Sequence, residues 1–204
     1  QFSKWQWIEV RIEKANKDHR VESHKIYTDT VTLKHKIKTD KSWSARWDWI
    51  NKIPSFSSFD NLENSRELDS ISLALLKPKR ITELVIEKAK SPDWTEEEKQ
   101  KLTYEQLQGN LFSEGEVKKQ VKELRKVPFD FYYQYSCESE LGEKIHKHKI
   151  VDWDVGQLYW NCRLSHGENW EMPFRNKLES ELLNKELMFL MGNIHRFQNQ
   201  WLII

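Results

Sequence analysis

The chain predicts an α+β fold in which helices pack on a mixed, mainly antiparallel sheet. Two patterns carry this prediction. Residues 129–137 alternate aromatic and polar side chains with a period of two, which is typical of a strand. Val155, Leu158, Tyr159 and Cys162 recur at the spacing of one helical face. Strand and helix signals therefore follow one another along the same chain.

Residues 1–108 predict an N-terminal α+β lobe. An alternation of apolar and charged side chains indicates a strand over 4–14, in which Trp7 is out of phase and indicates a bulge or a sheet buried on both faces. Thr95 and Glu98 form a capping box that starts a helix ending near residue 109. The other elements predicted are a polar connector at 16–25, strands at 31–37, 71–76 and 81–88, a helix at 42–52, and a helix capped by Ser57 or Ser58 and running to 68.

Residues 128–204 predict a C-terminal β-β-α-α-β-β lobe, which follows a charged connector at 109–127. The two lobes are either separate or parts of one continuous domain. The elements predicted are strands at 129–137 and 146–151 joined by a long loop, helices at 152–163 and 171–185, and strands at 187–194 and 201–204. The alternative is a C-terminal winged-helix-like module, but its first helix would have to replace the strand at 129–137.

Composition narrows the class of protein. Charged residues make up 32% of the chain and nearly balance at a net charge of +1, which argues against a strongly basic surface. Ten tryptophans, nine phenylalanines and six tyrosines are predicted to fill the core, with stacking on bases as the alternative. No run is long and apolar enough for a membrane helix and no signal peptide is visible, so a cytoplasmic protein is predicted. Both ends look cut from a longer chain.

The carboxylates allow a catalytic interpretation beside a structural one. Asp152 precedes a helical stripe and Asp154 lies in its first turn, which predicts capping. The same two residues, with Glu22 and His195, are the candidates for an acid–base or metal-binding cluster of a hydrolase or nuclease. The sequence has no phosphate-binding loop, nucleophile elbow, zinc-protease motif or dinucleotide fingerprint. Capping is therefore the favoured interpretation.

Two cysteines and two histidines raise the question of a metal. Cys137, His146, His148 and Cys162 are the side chains that tetrahedral zinc prefers. Their spacing lacks the close cysteine pairs of common zinc modules, and Cys162 already fits the buried helical stripe. No cofactor is predicted, and zinc at these four residues is the alternative.

The candidate nucleic-acid contacts are basic residues in loops. They are Arg20, Lys77, Lys79, Arg80 and Arg196, and the cluster around 77–80 is extended in the sequence by Lys118, Lys119, Lys122, Arg125 and Lys126. Runs of charge are more often solvated surface than binding sites, and glutamates dilute this one.

Several phrases of the chain resemble a family of bacterial and archaeal proteins. They are Arg20-Val21-Glu22-Ser23, Leu76-Lys77-Pro78-Lys79, residues 108–112, the Asp152-Trp153-Asp154-x-Gly156-x-Leu158-Tyr159-Trp160 helix motif, and Leu190-Met191-Gly192-Asn193 with Phe197 and Trp201. The pattern of that family has proline where Val21 stands and glutamate where Asp154 stands. The resemblance implies a further strand-rich segment upstream and a place among mobile-element and genome-defence genes. No activity is established for the family, so no residue role is carried over.

These observations predict a prokaryotic, nucleic-acid-associated binding or accessory protein with a role in genome defence or mobile-element biology. A hydrolase or nuclease that uses the carboxylates and His195 is the second hypothesis. A scaffold that contacts only protein is the third. A binding protein needs a basic surface with exposed aromatic rings, an enzyme needs carboxylates that converge in a cleft, and a scaffold needs an exposed apolar patch.

Overall fold

The computed structural model describes residues 3–18, 20–39, 43–109 and 125–204 of the 204-residue chain. Its strands are β1 (Gln6–Glu9), β2 (Ile12–Lys14), β3 (His24–Ile26), β4 (Thr32–Lys36), β5 (Ser55–Phe56), β6 (Leu73–Leu76), β7 (Arg80–Lys88), β8 (Phe129–Ser139), β9 (Gly142–Ile150), β10 (Phe189–Ile194) and β11 (Phe197–Ile203). Its helices are α1 (Ser44–Ile50), α2 (Phe59–Asp69), α3 (Glu96–Gly109), α4 (Trp153–His166) and α5 (Glu171–Arg175), with 3-10 turns at Thr28–Thr30 and Gly167–Trp170 and a π-helical stretch at Asn176–Glu181. Most of the predicted connector at 109–127 lies outside the described residues. Within the described ranges, no helix combines the length and the apolar character needed to cross a membrane.

A seven-stranded sheet runs in the order β5-β6-β10-β11-β9-β8-β7. β5 pairs with β6 in parallel, whereas β6, β10 and β11 pair antiparallel, so that Phe189 lies opposite Leu76 and Met191 opposite both Ala74 and Ile203. Two smaller sheets pair β1 with β4 and β2 with β3. The α+β class with a mixed, mainly antiparallel sheet is therefore confirmed.

The chain divides into two compact units. The first contains Gln1–Thr82, Gln134–His148 and Lys185–Ile204. Its core is aliphatic around a few rings, and Leu62, Leu76, Tyr135 and Met191 are completely buried. Trp201 is also buried and donates its indole N–H to the Glu63 carboxylate, which satisfies the polar edge of the ring.

The second unit contains Glu83–Tyr133 and Lys149–Asn184, and its core is aromatic. Tyr159, Trp170 and Phe174 pack in a chain of edge-to-face contacts, with ring centroids 4.8 and 5.6 Å apart. Phe131 lies 4.5 Å from Phe174. Tyr159 lies on the predicted stripe of α4, so the helical spacing identified the buried side of that helix correctly.

Local signals in the first half are mostly confirmed. The capping box is present, because the Glu98 carboxylate accepts from the Thr95 N–H at 2.9 Å and the Thr95 hydroxyl accepts from the Glu98 N–H at 3.1 Å. The pairing of β1 with β4 shifts register between Gln6 and Ile8, an irregularity at Trp7 that favours the first of the two predicted alternatives, a bulge. The predicted single strand at 4–14 is wrong, since it divides into β1 and β2, and the end of the predicted connector at 16–25 enters β3.

Two predicted loops are strands. The hairpin of β8 and β9 closes through a two-residue turn at Glu140 and Leu141, with Gly142 at a φ of +111° that favours glycine. The predicted loop at 195–200 is mostly strand, because only His195 and Arg196 form the turn before β11. Both strand ends are solvent-exposed and mostly polar, so no apolar alternation marked them. The continuous strand β8 also stands where a winged helix requires a helix, which makes that alternative wrong.

Candidate functional site

The two aspartates at the start of α4 cap that helix. Asp152 Oδ1 accepts a hydrogen bond from the Asp154 N–H at 2.8 Å, and the negative charge of Asp154 lies at the positive end of the helix dipole. The sequence predicted this cap, and the structure confirms it. The bond gives Asp152 a structural role, whereas its predicted part in catalysis stays a hypothesis that the geometry does not favour.

A polar network holds the loop that precedes β3. Arg20 pairs with Asp18 at 2.6 Å and donates a second hydrogen bond to the backbone oxygen of Asn193 at 2.9 Å. The Ser23 hydroxyl also donates to Asp18, and the guanidinium beside it holds the pKa of the Asp18 carboxyl well below its usual range. Arg20 is therefore engaged in fastening this loop to β10, a role that competes with its predicted contact to phosphate.

Two of the catalytic candidates line one cleft of about 480 Å³. The Ser72 hydroxyl donates to the Glu22 carboxylate, whose two oxygens lie 2.7 and 2.8 Å from it. His195 Nδ1 lies 3.4 Å from the Asp18 carboxylate. The cleft brings Glu22 and His195 together with Ser72 and Asn193, but Asp152 and Asp154 are not among its lining residues. The predicted four-residue cluster is thus not assembled at this cleft.

The predicted basic cluster is paired with glutamates. Lys77 contacts the Glu186 carboxylate, and Lys79 lies 3.3 Å from Glu138. Arg80 lies 3.0 Å from Glu143. Of the residues that extend the cluster in the sequence, Lys126 pairs with Glu98 at 2.7 Å, and Lys118, Lys119 and Lys122 lie outside the described residues. Arg196 is exposed in the turn between β10 and β11.

The candidate zinc ligands occupy other contacts. His146 and His148 both lie 4.7 Å from the Phe59 ring, and the Tyr135 hydroxyl is 2.9 Å from His148 Nδ1. Burial lowers the pKa of His148 to about 4, and His146 acts in the same direction. Cys137 is a buried free thiol. The described residues contain no group of three or more possible ligands arranged to hold a metal ion, so the zinc hypothesis gains no geometric support.

The feature that sequence reasoning missed is a set of exposed and half-buried tryptophans around β1 and α1. Trp5 and Trp43 form one edge-to-face pair with centroids 6.1 Å apart, and Trp7 and Trp49 form another at 4.7 Å. The exposed fractions of Trp7, Trp43 and Trp49 are 36%, 44% and 42%, so these rings are not core residues. We call these four residues, together with Arg46 and Lys52, the tryptophan cluster.

Each tryptophan pair carries one cation. The Arg46 guanidinium carbon lies 4.7 Å from the Trp5 ring and 4.8 Å from the Trp43 ring. Lys52 Nζ lies 3.6 Å from the Trp49 ring. These are cation–π distances, and each contact is worth about 0.5–1 kcal/mol at an exposed site. In the described part of the chain neither Arg46 nor Lys52 forms an ion pair with a carboxylate, so their charges are held at the ring surfaces.

Two residues of the cluster have a strained backbone. Trp5 and Trp43 have φ angles of +62° and +58°, in the left-handed region that bulky residues avoid. Such a conformation costs about 1–2 kcal/mol for each L-residue that has a Cβ atom. Strain of this kind persists only where surrounding contacts hold it, and it is often found at binding sites.

Charge is unevenly distributed along the chain. Residues 1–52 contain twelve lysines and arginines against seven aspartates and glutamates, a net charge of +5. The rest of the chain contains 21 against 25, a net charge of −4. The two segment charges nearly cancel, so the overall charge of +1 does not reveal this difference. Five of the ten tryptophans also lie in residues 1–52, so counting charge and tryptophan by segment would have identified the region.

The comparisons with known proteins divide the chain at the same place. Residues 55–204 match the family model described as Domain of unknown function (DUF8757), and the chain belongs to that family. Residues 1–52, which contain the tryptophan cluster, match a second model described as Domain of unknown function (DUF8758). Searches of curated proteins and of solved structures found no match.

Proposed function

We propose that the protein binds nucleic acid through the tryptophan cluster. The observation that carries the proposal is the combination of exposed indole rings with two cations that have no carboxylate partner among the described residues, in a segment of net charge +5. Basic side chains neutralise phosphates, and aromatic rings stack on bases. A binding or accessory role in a prokaryotic cell, in genome defence or on mobile elements, fits such an activity.

The cations favour a polyanion over an apolar protein partner. A docking surface for an apolar partner gains from exposed rings alone, and a cation at its centre would have to be desolvated. Arg46 and Lys52 instead lie directly against the rings, where a phosphate can reach the charge while a base contacts the indole. A protein partner remains the other outcome of the binding test.

The other predicted contacts rank below the cluster. Arg20, Lys77, Lys79 and Arg80 each already contact a carboxylate, so a phosphate would have to compete with an acid for them. Arg196 is exposed, so we rank it second, after the tryptophan cluster, as a candidate contact. The hydrolase hypothesis rests on Glu22 and His195 in their cleft, and the partners of these residues, Ser72 and Asp18, favour a structural role.

The test compares two charge reversals of equal size. Arg46→Glu with Lys52→Glu removes the cations of the cluster, and Lys79→Glu with Arg80→Glu removes the predicted basic patch. Binding of labelled DNA and RNA is measured by fluorescence anisotropy between about 50 and 200 mM salt, a range over which phosphate contacts weaken strongly. We expect the first variant to lose about tenfold or more in affinity and to show a flatter salt dependence, with the second close to the unmodified protein.

Two results would overturn this proposal. Absence of binding to any nucleic acid at the lower salt concentration would contradict the proposed function. A larger loss in the Lys79→Glu, Arg80→Glu variant keeps the function but moves the interface to the predicted patch. Both variants are first checked by circular dichroism and thermal unfolding, so that a loss of binding is not a loss of fold.

A further inference from the structure

The arrangement of the tryptophan cluster bears on the form of nucleic acid that it recognises. Its two pairs are built alike: one ring comes from the β1 region, one from the α1 region, and a cation lies on the latter. Within each pair the rings meet edge to face, at interplanar angles of 77°. In such a pair the edge of one ring meets the face of the other, so the rings cover each other less than stacked rings do, and Trp43 and Trp49 stay more than 40% exposed.

Two rings of the cluster are carried by a strained backbone. Trp5 and Trp43 occupy left-handed backbone conformations, which bulky residues adopt only against a steric cost. Trp43 nevertheless stays 44% exposed, so its ring is also accessible to a ligand. Trp5 and Trp43 both contact the Arg46 guanidinium. Backbone strain that is kept at a surface cluster points to a binding site.

We propose that the cluster binds single-stranded nucleic acid, with unpaired bases stacking on Trp43 and Trp49 and phosphates contacting Arg46 and Lys52. This inference rests on the proposed function and narrows its substrate class. In a duplex the faces of the bases are covered by their neighbours, so indole rings cannot stack on them without unstacking the helix. In a single strand each base exposes a face and lies beside a phosphate. The base can therefore stack on an indole while the phosphate contacts the cation beside that indole.

The experiment uses three probes with the full chain: a single-stranded oligonucleotide, the duplex of the same sequence, and polyphosphate, which has the charge but no bases. Affinities are measured at one salt concentration, and quenching of tryptophan fluorescence reports stacking. We expect the single strand to bind about tenfold or more tightly than the duplex and to quench the fluorescence. Polyphosphate should bind weakly and cause little quenching.

Variants distinguish stacking from charge. Trp49→Ala, at a residue with an ordinary helical backbone, should weaken single-strand binding about tenfold and leave polyphosphate binding unchanged. Trp153→Ala is the matched control, because Trp153 is 74% exposed on α4 and lies outside the cluster. Trp43→Gly, which removes a ring and also relieves backbone strain, gives a second variant if Trp49→Ala proves unstable.

The outcomes separate the two proposals. Duplex or polyphosphate binding as tight as single-strand binding overturns the single-strand inference and leaves nucleic-acid binding in place. An equal loss of affinity in Trp49→Ala and Trp153→Ala also overturns it, since the cluster would then have no special role. Failure of all three probes to bind overturns the proposed function and this inference together.

Discussion

Aromatic rings occupy opposite environments in two regions of this molecule. In the second unit Tyr159, Trp170 and Phe174 are buried among aromatic rings. In the tryptophan cluster the rings form pairs that also contact cations and solvent. The same type of side chain therefore stabilises a core in one place and forms an accessible surface in the other. The count of aromatic residues in the sequence does not distinguish the two roles.

The neighbours of each ring explain the difference. Phe131 and Phe174 belong to elements that place other apolar side chains around them, so burial of the rings is favourable. The cluster lies on and beside β1 and α1, whose residues are all half-buried or exposed, so these elements provide no closed core. Cations lie against those rings in place of a second apolar layer.

The largest expected effect is the loss of stability when a buried aromatic ring of the second unit is removed. Phe174 is completely buried among aromatic rings, and Phe174→Ala should lower the free energy of unfolding by about 3–5 kcal/mol because it leaves a cavity. Trp49→Ala should cost about 1–2 kcal/mol, since that ring is 42% exposed and loses one edge-to-face and one cation–π contact. Urea unfolding of both variants measures the difference. Similar costs would show that the cluster is packed as tightly as a core.

The pH dependence of stability tests the environment of a further buried ring, the imidazole of His148. Burial lowers the folded-state pKa of His148 to about 4, against an ordinary value of 6.5, so the unfolded chain binds the proton first as the pH falls. The stability contributed by neutral His148 is complete above about pH 6.5 and is lost progressively towards pH 4, by about 3 kcal/mol.

Thermal unfolding across this pH range measures the effect. Carboxylates also titrate near its lower end, so the control is His148→Gln, which should show a flatter loss of stability than the unmodified protein. Identical pH dependence in both proteins would contradict the prediction.

The smallest expected effect concerns the strained backbone of the exposed region. At Trp43 the φ of +58° suits glycine, so Trp43→Gly should be more stable than Trp43→Ala by about 1 kcal/mol, although glycine is normally the less stable of the two in a folded chain. Chemical unfolding of the two variants gives the difference directly. Alanine as the more stable variant would mean that the chain relaxes out of the left-handed conformation.

Much of the fold was predictable because it depends on local pattern. The alternation of β8, the stripe of α4, the cap at Asp152 and the capping box at Thr95 all report interactions between residues that are near in sequence. The ends of β9 and β11 were missed because strand pairing can order exposed polar residues that have no apolar pattern. The predicted basic patch was visible in the sequence, but the glutamates that pair with it come from distant positions, as Glu186 does for Lys77.

The sequence by itself determined the α+β class, most elements and the caps, since backbone hydrogen bonding and apolar periodicity act over a few residues. Only the tertiary structure decided which rings are buried and which cations are neutralised. Trp170 and Trp43 are the same amino acid, yet one enters an aromatic core and the other lies half-exposed beside Arg46. That outcome depends on contacts between segments far apart in sequence, as between Trp5 and Trp43, and these form only when the chain folds.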